Sequence, residues 1–411
     1  FALEVGAGET TAAVSEQEAA TSHRLEGGET IGEDVANGAV YTLSGNYSRG
    51  ISITTSKDIT INIEGEVTVT GVDKFLDVTG TGKVTINGTK DGAAIKMTTN
   101  GKAVGIIDSG IVYLDAAGAD VTCNGGDYYS EETSDVVSTY SVFCVKDGSL
   151  KLNKVIAEAG EWTRVVDCGV YTTSSLATVE IQGGTFKAAG INSGVIHCGN
   201  KGTMTINNAT LEMHNGGSYV LAASGSSAEL KIYNSTVVGE NEHSCVTVQS
   251  GGSFWAENCE FTSVGNQSDN GGLLYMLSGE ATIKDSNYVA EQNGVTGILA
   301  QYLTVPVLQG PHKLTVENTK IKGCKEAFNL EYDPEGSDIK LKNVTFENNE
   351  TDIYLKNNSS TPTNAPQVEL DEGTKDTAGA ITVEVANPAE GVQITTKNTG
   401  KDYQQSLKLA S

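Results

Sequence analysis

Two stretches of the chain, Met204-Thr-Ile-Asn-Asn208-Ala-Thr-Leu211 and Leu230-Lys-Ile-Tyr-Asn234-Ser-Thr-Val237, share one pattern. Apolar and polar residues alternate, an Asn follows, and an apolar residue comes three positions after that Asn. Alternation with a period of two is typical of a strand with one buried face. Each stretch therefore predicts short strands rather than helix.

The same pattern recurs through most of the chain. From Gly183 to Asn343 the equivalent position returns in six steps over 160 residues, about 27 residues each. A repeat of this length with an internal period of two does not fit helical repeats. Further copies occupy residues 179–186, 254–261, 281–288, 314–321 and 339–346.

A second apolar string, ending in Gly, lies about halfway through each repeat. Examples are residues 219–225 and 246–251. Each repeat thus holds two or three short strands separated by turns. A coil in which each repeat forms one turn buries one face of every strand, and each strand then pairs in parallel with its equivalent about 4.8 Å away. The sequence predicts a single-domain, all-β solenoid with three short strands per turn.

This pattern resembles the right-handed parallel β-helix of pectate-lyase-like proteins of the bacterial secreted or cell-surface type. The resemblance covers about residues 40–390, and no specific enzyme family matches it. It implies that an Asn at one corner stacks into an internal ladder, with Gly183 and Asp285 as substitutes. The ladder residues would be Asn208, Asn234, Asn258, Asn318 and Asn343.

Two interpretations of this Asn position differ in what they predict for burial. Asn208, Asn234 and Asn343 also fit the Asn-x-Ser/Thr glycosylation pattern, which predicts exposed side chains. The ladder predicts buried ones, and we favour it because the position also accepts Gly and Asp. The residues three positions later should form a stacked core row: Phe186, Leu211, Val237, Phe261, Tyr288, Ile321 and Phe346.

The pattern also divides the chain. We expect a polar N-terminal linker at residues 1–24, a β-helix with an N-terminal cap at 25–390, and a C-terminal cap or linker at 391–411. The start of the chain has no signal-peptide pattern and is interpreted as a mature or trimmed start. Residues 127–140 are predicted to form a long loop.

The charge limits the partners. With 27 basic and 52 acidic residues, the net charge is −25. Such a chain repels phosphate backbones and anionic lipid surfaces, so we expect no nucleic-acid binding. No apolar stretch reaches the length of a membrane span, so we expect no membrane insertion. The composition favours a monomer that is secreted or attached to the cell surface, with an anchor outside this sequence.

The chain has seven Cys and no Cys-x-x-Cys pair, which argues against a zinc or thioredoxin-like site. Cys168 and Cys198 should point inward on consecutive turns, as buried, unbridged thiols. We predict no metal site and no cofactor, although calcium binding stays open because acidic residues are numerous.

Catalytic signals are sparse. The motifs of pectin-degrading relatives, an Asn-Thr-Asp string, a His-Gly and an Arg-x-Lys, do not occur, and there are only three Arg. Asp167 and His197 should be outward-facing neighbours on adjacent turns, with Arg164 close by. A carboxylate beside a His can perform acid–base chemistry. We favour the alternative that they form a solvated surface pair.

A binding surface is predicted where an aromatic residue interrupts polar outward positions. Trp255 should face outward in a polar column, with Tyr233 on the preceding turn in the next column. The two rings would offer a flat platform to a sugar ring, and Lys231, Asn207 and Glu257 would bond to its hydroxyls.

The alternative is a structural role for this indole. A long loop, such as residues 264–272, would then fold over Trp255 and bury it.

Three functions therefore compete. The favoured one is a non-catalytic, adhesin-like protein that binds a glycan or a host surface. The second is a polysaccharide lyase or glycoside hydrolase with an atypical site. The third is a structural stalk, because this fold serves many functions.

Overall fold

The structure is a computed structural model in which every described element is a strand. The described residues are 22–99, 109–132, 140–169, 176–190, 193–215, 217–240, 244–265, 271–292, 294–301, 310–331, 337–356, 367–379, 381–386, 393–397 and 406–409.

The strands follow one another along the whole described chain. Those up to residue 168 are β1 His23–Arg24, β2 Thr30–Ile31, β3 Ala39–Tyr47, β4 Ile51–Ile53, β5 Ile59–Thr70, β6 Lys74–Val78, β7 Lys83–Gly88, β8 Ala94–Thr99, β9 Gly110–Gly125, β10 Asp127–Glu132, β11 Tyr140–Ala159 and β12 Thr163–Cys168. The next are β13 Ala177–Ala189, β14 Gly194–Cys198, β15 Gly202–Asn207, β16 Thr210–His214, β17 Tyr219–Ser224, β18 Glu229–Tyr233, β19 Thr236–Glu240, β20 Val246–Gln249, β21 Gly252–Glu257, β22 Glu260–Val264, β23 Leu274–Met276, β24 Gly279–Lys284 and β25 Asn287–Ala290. The last are β26 Thr296–Ala300, β27 His312–Glu317, β28 Lys320–Lys322, β29 Glu326–Glu331, β30 Asp338–Lys342, β31 Thr345–Glu347, β32 Thr351–Lys356, β33 Gln367–Asp371, β34 Lys375–Asp376, β35 Thr382–Ala386, β36 Gln393–Lys397 and β37 Ser406–Leu409.

The strands form the predicted right-handed parallel β-helix, with about 27 residues and three strands per turn. In one turn, β15, β16 and β17 pair in parallel with β18, β19 and β20 of the next. We call the three faces sheet A (β15, β18 and their equivalents), sheet B (β16, β19) and sheet C (β17, β20).

The core fills the inside of this coil. Inward residues of the strands are buried in one continuous apolar cluster, which runs from Leu25 to Val383. The predicted core row is confirmed, since Phe186, Phe261 and the other five members are at most 1% exposed.

A left-handed corner joins sheet A to sheet B. Between β15 and β16 it consists of Asn208 and Ala209 alone, and Asn208 has a φ of 54°. The left-handed region costs L-residues energy, and Gly, Asn and Asp tolerate it best. This explains why the same position holds Gly183 and Asp285, whose φ values are 70° and 48°.

The predicted burial of the recurring Asn residues is wrong. All five side chains are exposed, because the left-handed corner directs them to solvent. A ladder does exist there, since Asn258 Nδ2 donates to Asn234 Oδ1 at 2.6 Å and Asn343 Nδ2 donates to Asn318 Oδ1 at 2.9 Å. The Asn residues recur because their backbone conformation requires them, and their side chains bond to each other outside the core.

The strand register extends beyond the predicted range 25–390. Strand β1 pairs with β3 at the start, and β36 and β37 pair with β33 and β35 near the end. Residues 1–21 of the predicted linker lie outside the described residues. Part of the predicted loop 127–140 is also strand, since β10 pairs with both β8 and β11.

The cysteines belong to the interior. All seven are free and buried, and Cys168 is paired in register with Cys198 on the next turn, as predicted. Burial raises the pKa of Cys123 and Cys245 to about 12. These thiols therefore stay protonated and unreactive at neutral pH.

Sheet C differs from the other two faces. Strands of sheets A and B alternate buried and more exposed side chains, as in β15 and β16. In sheet C the outward residues Tyr113, Cys144 and Asp167 are at most 2% exposed. The connections that leave sheet C vary in length, with two residues between β20 and β21 and eleven between β26 and β27. Long connections on a rigid scaffold are where function concentrates.

Candidate functional site

The predicted sugar platform lies on the outward face of sheet A. Strands β15, β18 and β21 place Asn207, Tyr233 and Glu257 side by side in one column, at about 4.8 Å per strand. The neighbouring column places Lys231 beside Trp255. All five residues predicted for this site therefore share one face of three consecutive strands, and all five are half-exposed.

Polar groups frame the indole of Trp255. Its Nε1 donates to Glu257 Oε2, two residues further along the same strand, at 3.4 Å. On the preceding strand, β18, the Lys231 ammonium lies 3.4 Å from the carboxylate of Glu229, so the charge of Lys231 is balanced locally. The arrangement offers an aromatic surface with donors and acceptors at its rim, which suits a ligand with apolar faces and hydroxyl edges.

Two shallow grooves flank this platform. One, of about 260 Å³, crosses sheet A on the preceding turns and is lined by Lys151, Glu180, Thr205 and their neighbours. The other, of about 320 Å³, lies at the start of β21, β24 and β27. Its lining includes Glu280 and Lys313.

The alternative of a covering loop predicts a buried indole. Trp255 is half-exposed, and residues 266–270 of the predicted covering segment lie outside the described residues. The sugar-binding role of the platform stays a prediction.

A second cluster lies on the outward face of sheet C. Asp167 on β12 is paired in register with His197 on β14. Arg164 Nη1 lies 2.6 Å from Asp167 Oδ2 and 3.0 Å from His197 Nδ1, and His197 Nδ1 lies 3.2 Å from Asp167 Oδ1. The three predicted acid–base residues are thus in direct contact.

The favoured interpretation of these residues as a solvated surface pair is wrong. The Asp167 side chain has no exposed surface, and those of His197 and Arg164 are 12% and 19% exposed. Alignment of strands predicts which residues are neighbours, but it does not show what covers a sheet. The outward face of sheet C is buried here, unlike that of sheets A and B.

The charges of this cluster are tightly balanced. Burial alone would raise the pKa of Asp167, but Arg164 and His197 hold that pKa below its ordinary value. Burial and the Arg164 charge lower the pKa of His197, although Asp167 opposes them. At neutral pH the cluster therefore holds a carboxylate, a guanidinium and a neutral imidazole.

Sequence reasoning missed one member of the cluster. The ring of Tyr219 lies 5.9 Å from the His197 ring, between centroids, and 5.9 Å from Arg164 Cζ. Gly194 on the intervening strand makes room for it, since a Cβ there would lie 2.8 Å from Tyr219 Cε2. The signal was available, because the repeat aligns Gly194 with both Arg164 and Tyr219.

The described residues contain no group of three or more His, Cys, Asp or Glu residues placed to hold a metal ion. They also contain no helix long and apolar enough to cross a membrane.

No family model matches the chain, and no curated protein matches it. A solved structure described as the crystal structure of the Agl-KA catalytic domain is similar over 86% of this chain, at 14% identity and a TM-score of 0.41. The chain covers 62% of that structure's chain, less than two thirds of its length. The strand register of this chain itself establishes a parallel β-solenoid, consistent with a right-handed parallel β-helix.

Proposed function

We propose that this protein is a non-catalytic, glycan-binding β-helix that holds an uncharged sugar chain on the outward face of sheet A. One observation carries the proposal: the half-exposed Trp255 indole faces outward on a parallel sheet, with Tyr233 one strand away in the next column. Trp and Tyr combine an apolar ring with a polar group, which suits them to binding surfaces where one side of the ring is apolar and its edge is wet.

The chemistry of the platform favours a neutral ligand. Carbohydrates present apolar C–H faces to aromatic rings and hydroxyl groups to polar neighbours such as Glu257 and Asn207. A net charge of −25 disfavours anionic polysaccharides. The chain also has only three Arg, the residue best suited to bind carboxylates in a bidentate manner.

The acidic, repetitive composition supports a secreted or surface-attached monomer with an adhesin-like role. In such a role the elongated helix would present sheet A to glycans in its surroundings.

Binding to immobilised neutral polysaccharides tests the proposal. We expect the protein to bind at least one of cellulose, laminarin, starch and dextran, and Trp255→Ala to lose at least tenfold in affinity. Tyr354→Ala, which removes an outward aromatic residue from sheet C, should bind normally. Binding to none of the four, or unchanged binding by Trp255→Ala, would overturn the proposal.

A second candidate function rests on the sheet C cluster. The contact between Asp167 and a neutral His197 is the arrangement of a general base, since the carboxylate orients the imidazole and stabilises its protonated form. As the alternative, we propose that this cluster cleaves glycans, either by β-elimination, as a polysaccharide lyase does, or by hydrolysis. Assays for new reducing ends and for 4,5-unsaturated products on the same four polysaccharides and polygalacturonate test it. Cleavage that His197→Gln abolishes would support it, and absence of cleavage would exclude it for these substrates.

A further inference from the structure

A ladder of side-chain amides runs along sheet A from the N-terminal turns toward the platform. Asn87 Nδ2 donates to Asn62 Oδ1 at 3.2 Å, Asn124 Nδ2 to Asn87 Oδ1 at 3.1 Å, and Asn153 Nδ2 to Asn124 Oδ1 at 2.9 Å. These four residues, which we call the amide ladder, occupy one outward column on β5, β7, β9 and β11 and are half-exposed.

The amide ladder and the platform belong to the same column. The register continues from Asn153 through Gln182 to Asn207 and then to Tyr233. The 260 Å³ groove on sheet A lies beside this middle section. From Asn124 to Tyr233 there are four strand spacings, about 19 Å in all.

From Asn62 to Tyr233 this column is uncharged, in a strongly acidic protein. The outward neighbours of the first three ladder residues are Thr60, Thr85 and Thr122. Further along, Lys151 and Glu180 lie 3.5 Å apart and balance each other. An amide has two donors and an acceptor with two lone pairs, so each ladder residue keeps hydrogen-bonding capacity beyond its partner in the ladder. Sugar hydroxyls, which both donate and accept, match this capacity.

We infer that the amide ladder extends the sugar platform, so that an uncharged, extended polysaccharide lies parallel to the helix axis. This inference rests on the proposed function and specifies its ligand as a linear chain of several sugars. One sugar stacks at Tyr233 and Trp255, and the following sugars pass over Asn207 and the groove to Asn153 and Asn124. The regular strand spacing gives successive sugars equivalent partners.

Oligosaccharide length is the variable that tests the inference. Calorimetric titration would compare cello-, laminari- and malto-oligosaccharides of two and six units. In the series that binds, we expect the six-unit sugar to bind at least tenfold more tightly than the two-unit sugar. The double variant Asn124→Ala/Asn153→Ala should bind the six-unit sugar about tenfold more weakly, as expected for a few lost hydrogen bonds. Its affinity for the two-unit sugar should be unchanged.

A matched control removes the same kind of amide pair elsewhere. Asn343→Gly breaks the bond to Asn318 at the exposed corner, keeps the left-handed backbone accessible, and should leave both affinities unchanged. Equal affinity for the two lengths, or a ladder variant that binds the six-unit sugar normally, would overturn the inference while the platform stands. Failure of all three series and of dextran to bind would overturn the proposed function itself.

Discussion

Phe254 and Trp255 are neighbours in the chain, yet they face opposite sides of sheet A. Phe254 is 1% exposed in the core, whereas Trp255 is half-exposed on the outward face. We expect Phe254→Ala to lower the free energy of unfolding by about 3–5 kcal/mol, as for buried aromatic residues. Trp255→Ala should lower it by at most about 1 kcal/mol, since it lies outside the core. Urea unfolding measures both, and similar losses would contradict a platform role.

His197 should make stability depend on pH. Its pKa lies below the ordinary value, so the folded imidazole stays neutral where the unfolded one, with a pKa near 6.5, takes up a proton. The stability it contributes is fully present above about pH 6.5 and is lost as the pH falls through the folded pKa. Asp167, whose pKa is also lowered, acts in the same direction but only in more acidic solution, around and below pH 4.

The variant His197→Asn isolates the contribution of His197 to the pH dependence of stability. Asn keeps a side-chain hydrogen-bond donor for Asp167 but has no group that takes up a proton in this pH range. Between pH 7 and pH 5, the wild type should lose more stability than the variant, as measured by urea unfolding at each pH. The difference also cancels the opposite contribution of His214, whose pKa is raised by Glu240 and Glu212 against the effect of burial. Parallel profiles for the two proteins would show that His197 is not held neutral.

Strands with alternating residues could be predicted from the sequence, and those of sheets A and B were. Strand β10 was not predicted, because Asp127 and the glutamates at its end are typical of a loop. Pairing on both sides, with β8 and β11, imposes the extended conformation on these residues. Here the neighbouring strands override the local preference. The burial of Tyr113, Cys144 and Asp167 on the outward face of sheet C was equally hidden, because a strand pattern does not record what covers it.

Gly194 and Tyr219 test the packing on sheet C. A Cβ at residue 194 would lie 2.8 Å from Tyr219 Cε2, so Gly194→Ala should lower the free energy of unfolding by about 1–3 kcal/mol, a typical cost of overpacking. In the background of Tyr219→Ala, where the ring is absent, the same change should cost much less. Urea unfolding of the single and double variants gives the coupling. Additive effects would mean that Tyr219 does not lie over Gly194.

The whole molecule is a stack in which each turn contacts only its neighbours, so a complete turn should be removable. Deleting residues 208–233 joins Asn207 to Asn234 and restores the strand–corner–strand pattern at the junction. We expect a folded monomer with a β-sheet circular dichroism spectrum and cooperative unfolding.

Deletion of residues 208–220, about half a turn, is the matched control. It brings strands of different sheets into register and should yield an insoluble or unfolded protein. If both deletions behave alike, the turns are not the independent units that the register indicates.

The sequence alone predicted the coil, its period and the five platform residues on one face, because each follows from a repeating alternation. It did not predict the amide ladder. Asn124 and Asn153 stand directly before the left-handed residues Gly125 and Lys154, whose φ values are 63° and 52°, and the sequence pattern did not separate the ladder positions from the corner. The two positions differ in what they require. The left-handed corner position mostly holds Gly, Asn or Asp because of its backbone conformation, with Lys154 as an exception, whereas the ladder position faces the surface of sheet A.

Fluorescence of Trp255 tests the central claim most directly, because the chain has only one other tryptophan, Trp162. In Trp162→Phe, all indole emission comes from the platform. Titration with six-unit cello-, laminari- and malto-oligosaccharides should give, for at least one series, a saturable shift of that emission, with a midpoint equal to the calorimetric dissociation constant. Binding detected by calorimetry without any change in emission, or no binding at all, would contradict a sugar platform at Trp255.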